Sequence, residues 1–297
     1  MIGDEKMKDF VFGNWQVTAC PECGGNLSQV KYKNVDVMRG FSEFEEWEKA
    51  PTNYGFASLF PPNRIDGGIF EFEGVRYQLP VNEPLRGNHV HGVALREEWQ
   101  LTAHDEDSVT MEFQFDENSS MYAGFPFKCK LIAKYIFRDN VMEQHFAVEN
   151  LSDKKMPCAL GFHSAFAIPQ KMCIHGIGKR VELAPPRYLA TGNYVDWKCG
   201  FEPNVWCDPA KINEFGHLKA SDIPLAEFDY GDRLVKYLPD EKFGYWMVWR
   251  HVEEFDYICA EPMNIKIGTF ENAPDTLPVV MPGEKELFVS KVEVCYE

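Results

Sequence analysis

Residues 128–137 read Lys-Cys-Lys-Leu-Ile-Ala-Lys-Tyr-Ile-Phe, an alternation of polar and apolar side chains with a period of two. The three lysines share one face, and the odd positions from Cys129 to Phe137 share the other. Successive side chains of a strand point to opposite sides of a sheet, whereas a helix repeats every 3.6 residues. The stretch therefore predicts a β-strand with one buried face.

The same period recurs along the chain. Residues 109–115 and 287–296 alternate in the same way. Residues 69–72 and 75–79 flank the dipeptide Glu73-Gly74, where glycine can take a positive φ in a tight hairpin. These segments predict a mostly β protein built from antiparallel strands.

Few features of the chain favour helices or a domain boundary. Its 19 prolines and 22 glycines are spread as turn residues through the 297 positions rather than gathered into a linker. Phe41, Phe44 and Trp47 predict one short amphipathic helix, and Asp208-Pro209 predicts the start of another. We expect one β domain over residues 1–297.

The charge balance limits the partners. The chain has 30 Lys and Arg against 46 Asp and Glu, a formal charge of -16. Such a surface repels phosphate backbones and anionic lipids, which argues against nucleic acid and membrane partners. No apolar run reaches the length of about 18 residues that a membrane span needs. The acidic start lacks the apolar core of a signal peptide, so we expect a cytoplasmic protein.

Nine cysteines without an export signal predict thiols rather than a disulfide framework. The closest pair is Cys20-Pro-Glu-Cys23. A structural zinc site usually needs a second such pair or spaced histidines, and neither follows. We expect plain thiols at this pair, with a redox or metal role as the alternative.

Several nucleophile and phosphate-binding motifs are absent, among them Gly-x-Ser-x-Gly and the phosphate-binding loop. Polar residues cluster instead at Asn63-Arg64, at Asn82 and in residues 88–92. His89 and His91 in this cluster point the same way if the strand is extended. They could bind a metal, or one could donate a proton while the other packs, or the cluster could be a polar strand end. No further metal ligand is apparent.

These and later motifs resemble, in order and over nearly the whole chain, those of the aldose 1-epimerases, the galactose mutarotase-like family. Two departures concern the neighbours of the histidines. His163 is followed by Ser-Ala rather than Pro-Tyr, and His91 by Gly-Val rather than Gly-Gly, which bears on the identity of the sugar. The matching motifs are Cys23 to Leu27, Asn63-Arg64-Ile65, Phe70 to Leu79, Asn82, Val90-His91-Gly92, Pro157 to Phe166, Glu261-Pro262 and Pro282-Gly283-Glu284.

The resemblance implies a large antiparallel β-sandwich with an open sugar-binding cleft, and an isomerase that interconverts the α and β anomers of a hexose. By similarity, Glu261 is the base that takes the anomeric proton and His163 is the acid that protonates the ring oxygen. A histidine suits this role because its ordinary pKa near 6.5 keeps both forms accessible. We expect a bell-shaped pH profile with the carboxylate on its acid limb and the histidine on its alkaline limb.

The remaining site residues follow from the same resemblance. His91 and Arg64 are expected to bind ring and hydroxyl oxygens, with Asn63 in support. The family also has an aspartate that holds sugar hydroxyls, and Asp229 is the candidate here, although an aspartate beside glycine is commonly a turn residue. The reaction needs neither metal nor cofactor, and we expect a monomer or homodimer that binds a small sugar.

Two alternatives remain open. A hexose-6-phosphate 1-epimerase would have the same proton chemistry and would need extra cations such as Arg86 or Arg96 near Arg64. A non-catalytic carbohydrate-binding protein would have the same fold without a working acid and base.

Overall fold

The computed structural model describes residues 7–196, 202–212, 216–251 and 256–296. Antiparallel strands dominate these ranges. In chain order the strands are β1 (Lys8–Phe12), β2 (Trp15–Cys20), β3 (Asn26–Tyr32), β4 (Val35–Asp36), β5 (Phe56–Leu59), β6 (Arg64–Asp66), β7 (Ile69–Phe72), β8 (Val75–Gln78), β9 (Asn88–Val90), β10 (Gln100–His104), β11 (Ser108–Phe115), β12 (Cys129–Arg138), β13 (Val141–Asn150), β14 (Met156–Pro157), β15 (Gly161–Ala167), β16 (Lys171–Ala184), β17 (Leu189–Val195), β18 (Gly216–Asp229), β19 (Arg233–Pro239), β20 (Tyr245–Trp249), β21 (Tyr257–Met263), β22 (Val279–Val280) and β23 (Lys285–Tyr296).

One large antiparallel sheet contains most of these strands. Its order is β10-β11-β12-β13-β23-β19-β18-β20-β21-β15-β5, and β16 pairs with both β18 and β17. Strands β1 to β4 form a separate four-stranded sheet, and β14 with β22, β6 with β9 and β7 with β8 form two-stranded pairs. Strands distant in sequence thus become neighbours, such as β21 between β20 and β15.

The predicted strands are present. The alternation in residues 128–137 forms β12, whose odd positions are buried from Cys129 to Phe137. The hairpin between β7 and β8 turns at Glu73 and Gly74, with φ angles of 53° and 72°. Both values lie in the left-handed region that such a two-residue turn requires.

The large sheet bends so that distant strands face each other across a common core. The ring of Phe56 on β5 lies 6.4 Å from that of Tyr135 on β12 and 6.1 Å from that of Tyr237 on β19. The four-stranded sheet packs onto the same core, where Phe12 stacks 4.9 Å from Phe137. The predicted antiparallel β-sandwich is confirmed, and its treatment as one domain stays a prediction.

The described helices are short. Phe44 and Trp47 lie in α1 (Phe44–Lys49), which buries Trp47, whereas Phe41 precedes this helix. The second helix, α2, spans Thr269–Asn272. Asp208 caps a 3₁₀ turn, Pro209–Lys211, by accepting a hydrogen bond from the Ala210 amide. Two further 3₁₀ turns lie at Pro21–Cys23 and Pro274–Thr276. In the described parts of the chain, no helix has the length and apolarity needed to cross a bilayer.

Cys20 and Cys23 form a disulfide, so the prediction of plain thiols is wrong for this pair. The intervening residues make one 3₁₀ turn that brings the two Cα atoms to 5.3 Å, within the range that a disulfide needs. Cys129 and Cys158 are buried thiols, as expected.

Candidate active site

Strand alternation directs His163 and Glu261 to the same side of the large sheet. On β15, Phe162 and Phe166 belong to the hydrophobic core, so His163 between them faces the opposite side. On β21, Ala260 belongs to that core, so Glu261 also faces away from it. Because β15 and β21 are antiparallel neighbours, the two polar side chains meet across the strands.

The two side chains form a buried pair. His163 Nε2 lies 3.2 Å from Glu261 Oε1, and their side chains are 5% and 2% exposed. Met247 lies opposite Glu261 on β20, and the Trp249 ring meets the His163 ring edge to face at 5.7 Å. The side chains of Met247 and Trp249 thus cover part of the pair and help to exclude solvent from it.

A second wall carries Asn63, Arg64 and His91. Strand β6 pairs with β9, and the His91 amide donates to the Asn63 carbonyl at 3.0 Å. Asn63 and His91 have φ angles of 58° and 67°, in the left-handed region that few residues other than glycine adopt. The His91 ring lies edge to face with the His163 ring at 5.4 Å. Such strained positions cluster at functional sites.

The left-handed turn separates the two histidines that an extended strand would align. His91 lines the cavity, whereas His89 is fully buried with its Nδ1 2.8 Å from the Pro80 carbonyl. The next residue, Gly92, has φ 74°, and a Cβ there would clash with the Phe60 carbonyl oxygen. Only glycine fits this turn, and the expectation that both histidines point the same way is wrong.

Glu83 holds the arginines of this wall and was not singled out in the sequence. Arg64 donates to both of its carboxylate oxygens, at 2.9 and 3.0 Å, and Arg86 donates at 2.7 Å. Burial alone would raise the pKa of Glu83, but the hydrogen bonds from Arg64 and Asn88 outweigh it and lower the pKa. The carboxylate therefore stays ionised and fixes the Arg64 guanidinium.

These walls enclose a cavity of about 740 Å³, within the range of about 300–1,000 Å³ that is typical of small-molecule sites. Arginines and aromatic residues contribute much of its lining. Arg180, Arg250 and Tyr188 reach it from strands and loops whose sequence has no site motif. The lining residues are Thr52, Asn63, Arg64, Arg86, His91, His163, Arg180, Leu183, Pro185, Tyr188, Met247, Trp249, Arg250, His251 and Glu261.

Two residues considered in the sequence do not reach the cavity. Asp229 accepts a hydrogen bond from the Gly231 amide at 2.7 Å, the turn role that its neighbouring glycine indicates. Arg96 is exposed and donates to the Glu48 carbonyl at 3.1 Å. The structure brings together the other five expected site residues, Asn63, Arg64, His91, His163 and Glu261.

Burial shifts the pKa of each reacting group toward its neutral form. It raises the pKa of Glu261 well above its usual value, and the charge of Arg64 opposes this shift. It lowers the pKa of His163 to about 3, with Arg64 adding to the shift. It also lowers the pKa of His91 well below its usual value, helped by His163 and Arg64. Burial thus favours the neutral form of both Glu261 and His163.

Among the described residues, the buried atoms His91 Nδ1 and Glu261 Oε1 make no hydrogen bond of good geometry, although Glu261 Oε1 lies 3.2 Å from His163 Nε2. Buried polar atoms in native proteins are nearly always satisfied, so unsatisfied ones require an explanation. A ligand rich in hydroxyl groups supplies both donors and acceptors for the cavity-facing atoms.

A metal is the other ligand to consider. His163, Cys259 and Glu261 each offer a donor atom, and these atoms lie within 4.8 Å of one another. A bound metal requires an ionised carboxylate, whereas burial favours the protonated form of Glu261. The expectation of a metal-free site stays a prediction.

Comparison with known proteins identifies one family. The sequence profile described as Aldose 1-epimerase matches residues 16–199 of the 297-residue chain. The matched range contains Asn63, Arg64, His91 and His163 and ends before Glu261.

A curated relative is also similar. The uncharacterized protein YihR of Escherichia coli K12 is 28% identical over 120 residues. The aligned region covers 39% of this chain and 37% of the length of YihR.

Solved structures match over the whole chain. A galactose mutarotase-like protein from Clostridium acetobutylicum superposes with a TM-score of 0.88 at 23% identity, covering 100% of this chain and 97% of the other. A GalM/aldose epimerase homologue from C. elegans gives 0.80 at 15% identity, covering 98% of each chain. At these identities the likeness is one of fold.

Proposed function

Because this chain belongs to the aldose 1-epimerase family, we propose that it is an isomerase that interconverts the α and β anomers of an aldose. The observation that carries the proposal is the buried pair of His163 and Glu261 at 3.2 Å in a cavity of ligand size. A carboxylate and an imidazole in contact can remove one proton from a sugar and deliver another in the same step.

Ring opening requires two proton transfers. Ionised Glu261 takes the proton from the anomeric hydroxyl O1, and protonated His163 donates a proton to the ring oxygen O5. The C1–O5 bond breaks, and its electron pair stays with O5 as the C1–O1 bond becomes an aldehyde. After rotation about C1–C2, neutral His163 takes the proton back from O5 and Glu261 returns a proton to O1, which closes the ring on the other face.

The pair carries one exchangeable proton throughout this cycle. Burial favours a proton on Glu261 rather than on His163, and the proton also lies on Glu261 in the proposed ring-opened intermediate. A sugar hydroxyl that donates to Glu261 favours the ionised carboxylate, and the proton then moves to His163. His91, Arg64 and Asn63 are proposed to bind the sugar oxygens.

The direct test is exchange spectroscopy by NMR on the α and β anomers of several aldoses, with and without the protein. Enzyme-dependent exchange supports the proposal. A sugar that binds without faster exchange, over a panel of neutral and anionic aldoses, would refute it in favour of a carbohydrate-binding protein on the same fold.

The pH profile is expected to differ from that of ordinary side chains. Activity requires one proton on the pair, so kcat/KM falls at low pH when a second proton is added and at high pH when the shared proton is lost. Because the pKa of His163 is lowered to about 3 and that of Glu261 is raised, the acid limb reports the histidine and the alkaline limb the carboxyl. Burial thus reverses the order expected from the sequence. An acid limb centred near 6.5, in protein shown to be folded, would contradict this account.

Replacing Arg64 is expected to act mainly on substrate binding. An interaction made equally in the ground state and the transition state changes KM rather than kcat. For Arg64→Ala we expect KM to rise about 10–100-fold, the effect of a lost charge-assisted hydrogen bond. Arg76→Ala, at an exposed position outside the cavity, is the control and should leave both constants unchanged. Steady-state kinetics separate the two constants, and a drop in kcat with constant KM would contradict the assignment.

A further inference from the structure

The cavity is basic, although the protein as a whole is acidic. Four arginines line it, Arg64, Arg86, Arg180 and Arg250, and Glu261 is the one carboxylate among the described lining residues. The chain has a formal charge of -16. A cleft lined by one sign of charge focuses the field and concentrates ligands of the opposite sign. Glu83, which pairs with Arg64 and Arg86 behind the cavity wall, offsets part of this charge, and the remaining positive charge favours anionic ligands.

Most of this positive charge is not needed for proton transfer. Arg64 contributes to the pKa shifts of Glu261 and His163, and the other three arginines are not among the charges that do so. Arg86, Arg180 and Arg250 line the cavity all the same. These three charges are therefore available for a substituent on a carbon of the sugar other than C1.

The three guanidinium groups are held in place by the protein. Arg86 donates to Glu83 and lies 5.0 Å from the centre of the Tyr188 ring. Arg250 Nη2 donates to the carbonyl oxygens of Ala210 and Ile212, both at 3.1 Å.

Arg180 Nη1 donates to the Asp196 carbonyl at 3.3 Å. Guanidinium groups fixed in advance lose little entropy on binding, and their planar donors match the oxygens of phosphate and carboxylate groups.

We propose that the substrate is an anionic aldose, such as a hexose 6-phosphate or a hexuronate, whose phosphate or carboxylate binds among Arg86, Arg180 and Arg250. The proposal rests on the proposed anomer exchange at His163 and Glu261 and adds the substrate class. Arg86 was one of the two cations that the sequence offered for a phosphate. Arg180 and Arg250 were not identified before the fold was known.

Turnover provides the first test. Anomer exchange is measured by NMR for glucose, glucose 6-phosphate and glucuronate, and for the matching galactose series, at two salt concentrations. We expect kcat/KM for an anionic sugar to exceed that of its neutral parent at least about ten-fold, and to fall with salt because ions screen the attraction. A preference for phosphate or carboxylate identifies the group. Neutral sugars that are turned over as well as all anionic ones would overturn the proposal.

Binding provides a test that does not depend on catalysis. 1,5-Anhydroglucitol and its 6-phosphate lack the anomeric hydroxyl, so neither can be turned over. Titration calorimetry should show binding of the phosphate at least about ten-fold tighter than that of the neutral compound. Equal affinities would overturn the substrate class even if anomer exchange were observed. Tight binding of the phosphate with no exchange of any sugar would refute the proposed activity and leave the anion site standing.

Substitutions of the cavity arginines test where the anionic group of the substrate binds. Arg180→Met and Arg250→Met should each lower the ratio of anionic to neutral kcat/KM about ten-fold and reduce its salt dependence. Arg96→Met removes the same charge from an exposed position outside the cavity and should keep the wild-type ratio. Arg250 is buried, so thermal unfolding is measured for each variant, and half-buried Arg180 remains informative if Arg250→Met does not fold. An unchanged ratio in folded Arg180→Met and Arg86→Met would overturn the assignment.

Discussion

Glu261→Gln is expected to fold normally and to lose kcat by about 10²–10⁴-fold, the usual contribution of a general base. Glutamine has the shape of glutamate and can still donate and accept hydrogen bonds, but it cannot take the proton from the anomeric hydroxyl. The side chain is 2% exposed, so solvent has little access to the position. Anomer exchange by NMR gives kcat, and thermal unfolding checks the fold.

The same sheet offers a matched control. Glu227 on β18 pairs with His175 on β16, with Oε2 and Nε2 2.8 Å apart, and neither residue lines the cavity. Glu227→Gln removes a carboxylate from a more exposed histidine–glutamate pair and should retain wild-type kcat. Near wild-type turnover in folded Glu261→Gln would mean that another group is the base.

His163→Asn should also lower kcat by about 10²–10⁴-fold. Asparagine keeps a hydrogen-bond donor near the ring oxygen but has no proton to transfer at neutral pH. It also removes the group that is proposed to exchange a proton with Glu261, whose side chain lies 3.2 Å away. Steady-state kinetics and thermal unfolding are the measurements.

His175→Asn is the control for this substitution, because it breaks the pair with Glu227 outside the cavity. We expect wild-type kinetics from it. If His163→Asn retained wild-type kcat in a folded protein, the ring oxygen would have to be protonated by a different group, and the neighbouring His91 would be the first to examine.

The strands of this protein could be predicted closely from local pattern. The alternation in residues 128–137 became β12, and the Glu73-Gly74 dipeptide became the turn between β7 and β8. Both signals are contained within a few residues, because alternation and turn geometry depend on neighbours along the chain.

Local sequence pattern gave wrong predictions where the backbone of a residue did not have the conformation of the surrounding strand. His89 and His91 would align on an extended strand, but the left-handed φ of His91 separates them. The thiols of Cys20 and Cys23 were expected to be separate, but one 3₁₀ turn brings the pair within bonding range. In each case one turn of backbone decided the outcome.

Family resemblance, rather than residue pattern, selected Glu261 from the many glutamates of the chain. The family's other motifs selected His163, His91, Arg64 and Asn63. Together with Glu261 these residues line one cavity. No motif flanks Asp229 to support its match to the family's sugar-binding aspartate. In the structure Asp229 accepts a hydrogen bond in a turn outside the cavity.

The order of amino acids thus sufficed for the strands, because alternation and turn signals are local. The family resemblance added the sandwich and selected the five residues that line one cavity. The folded structure was needed for the pKa shifts of His163 and Glu261, for the support of Arg64 by Glu83, and for the approach of Arg180 and Arg250 to the cavity. Burial and charge proximity depend on which strands become neighbours, and those contacts join residues far apart in the chain.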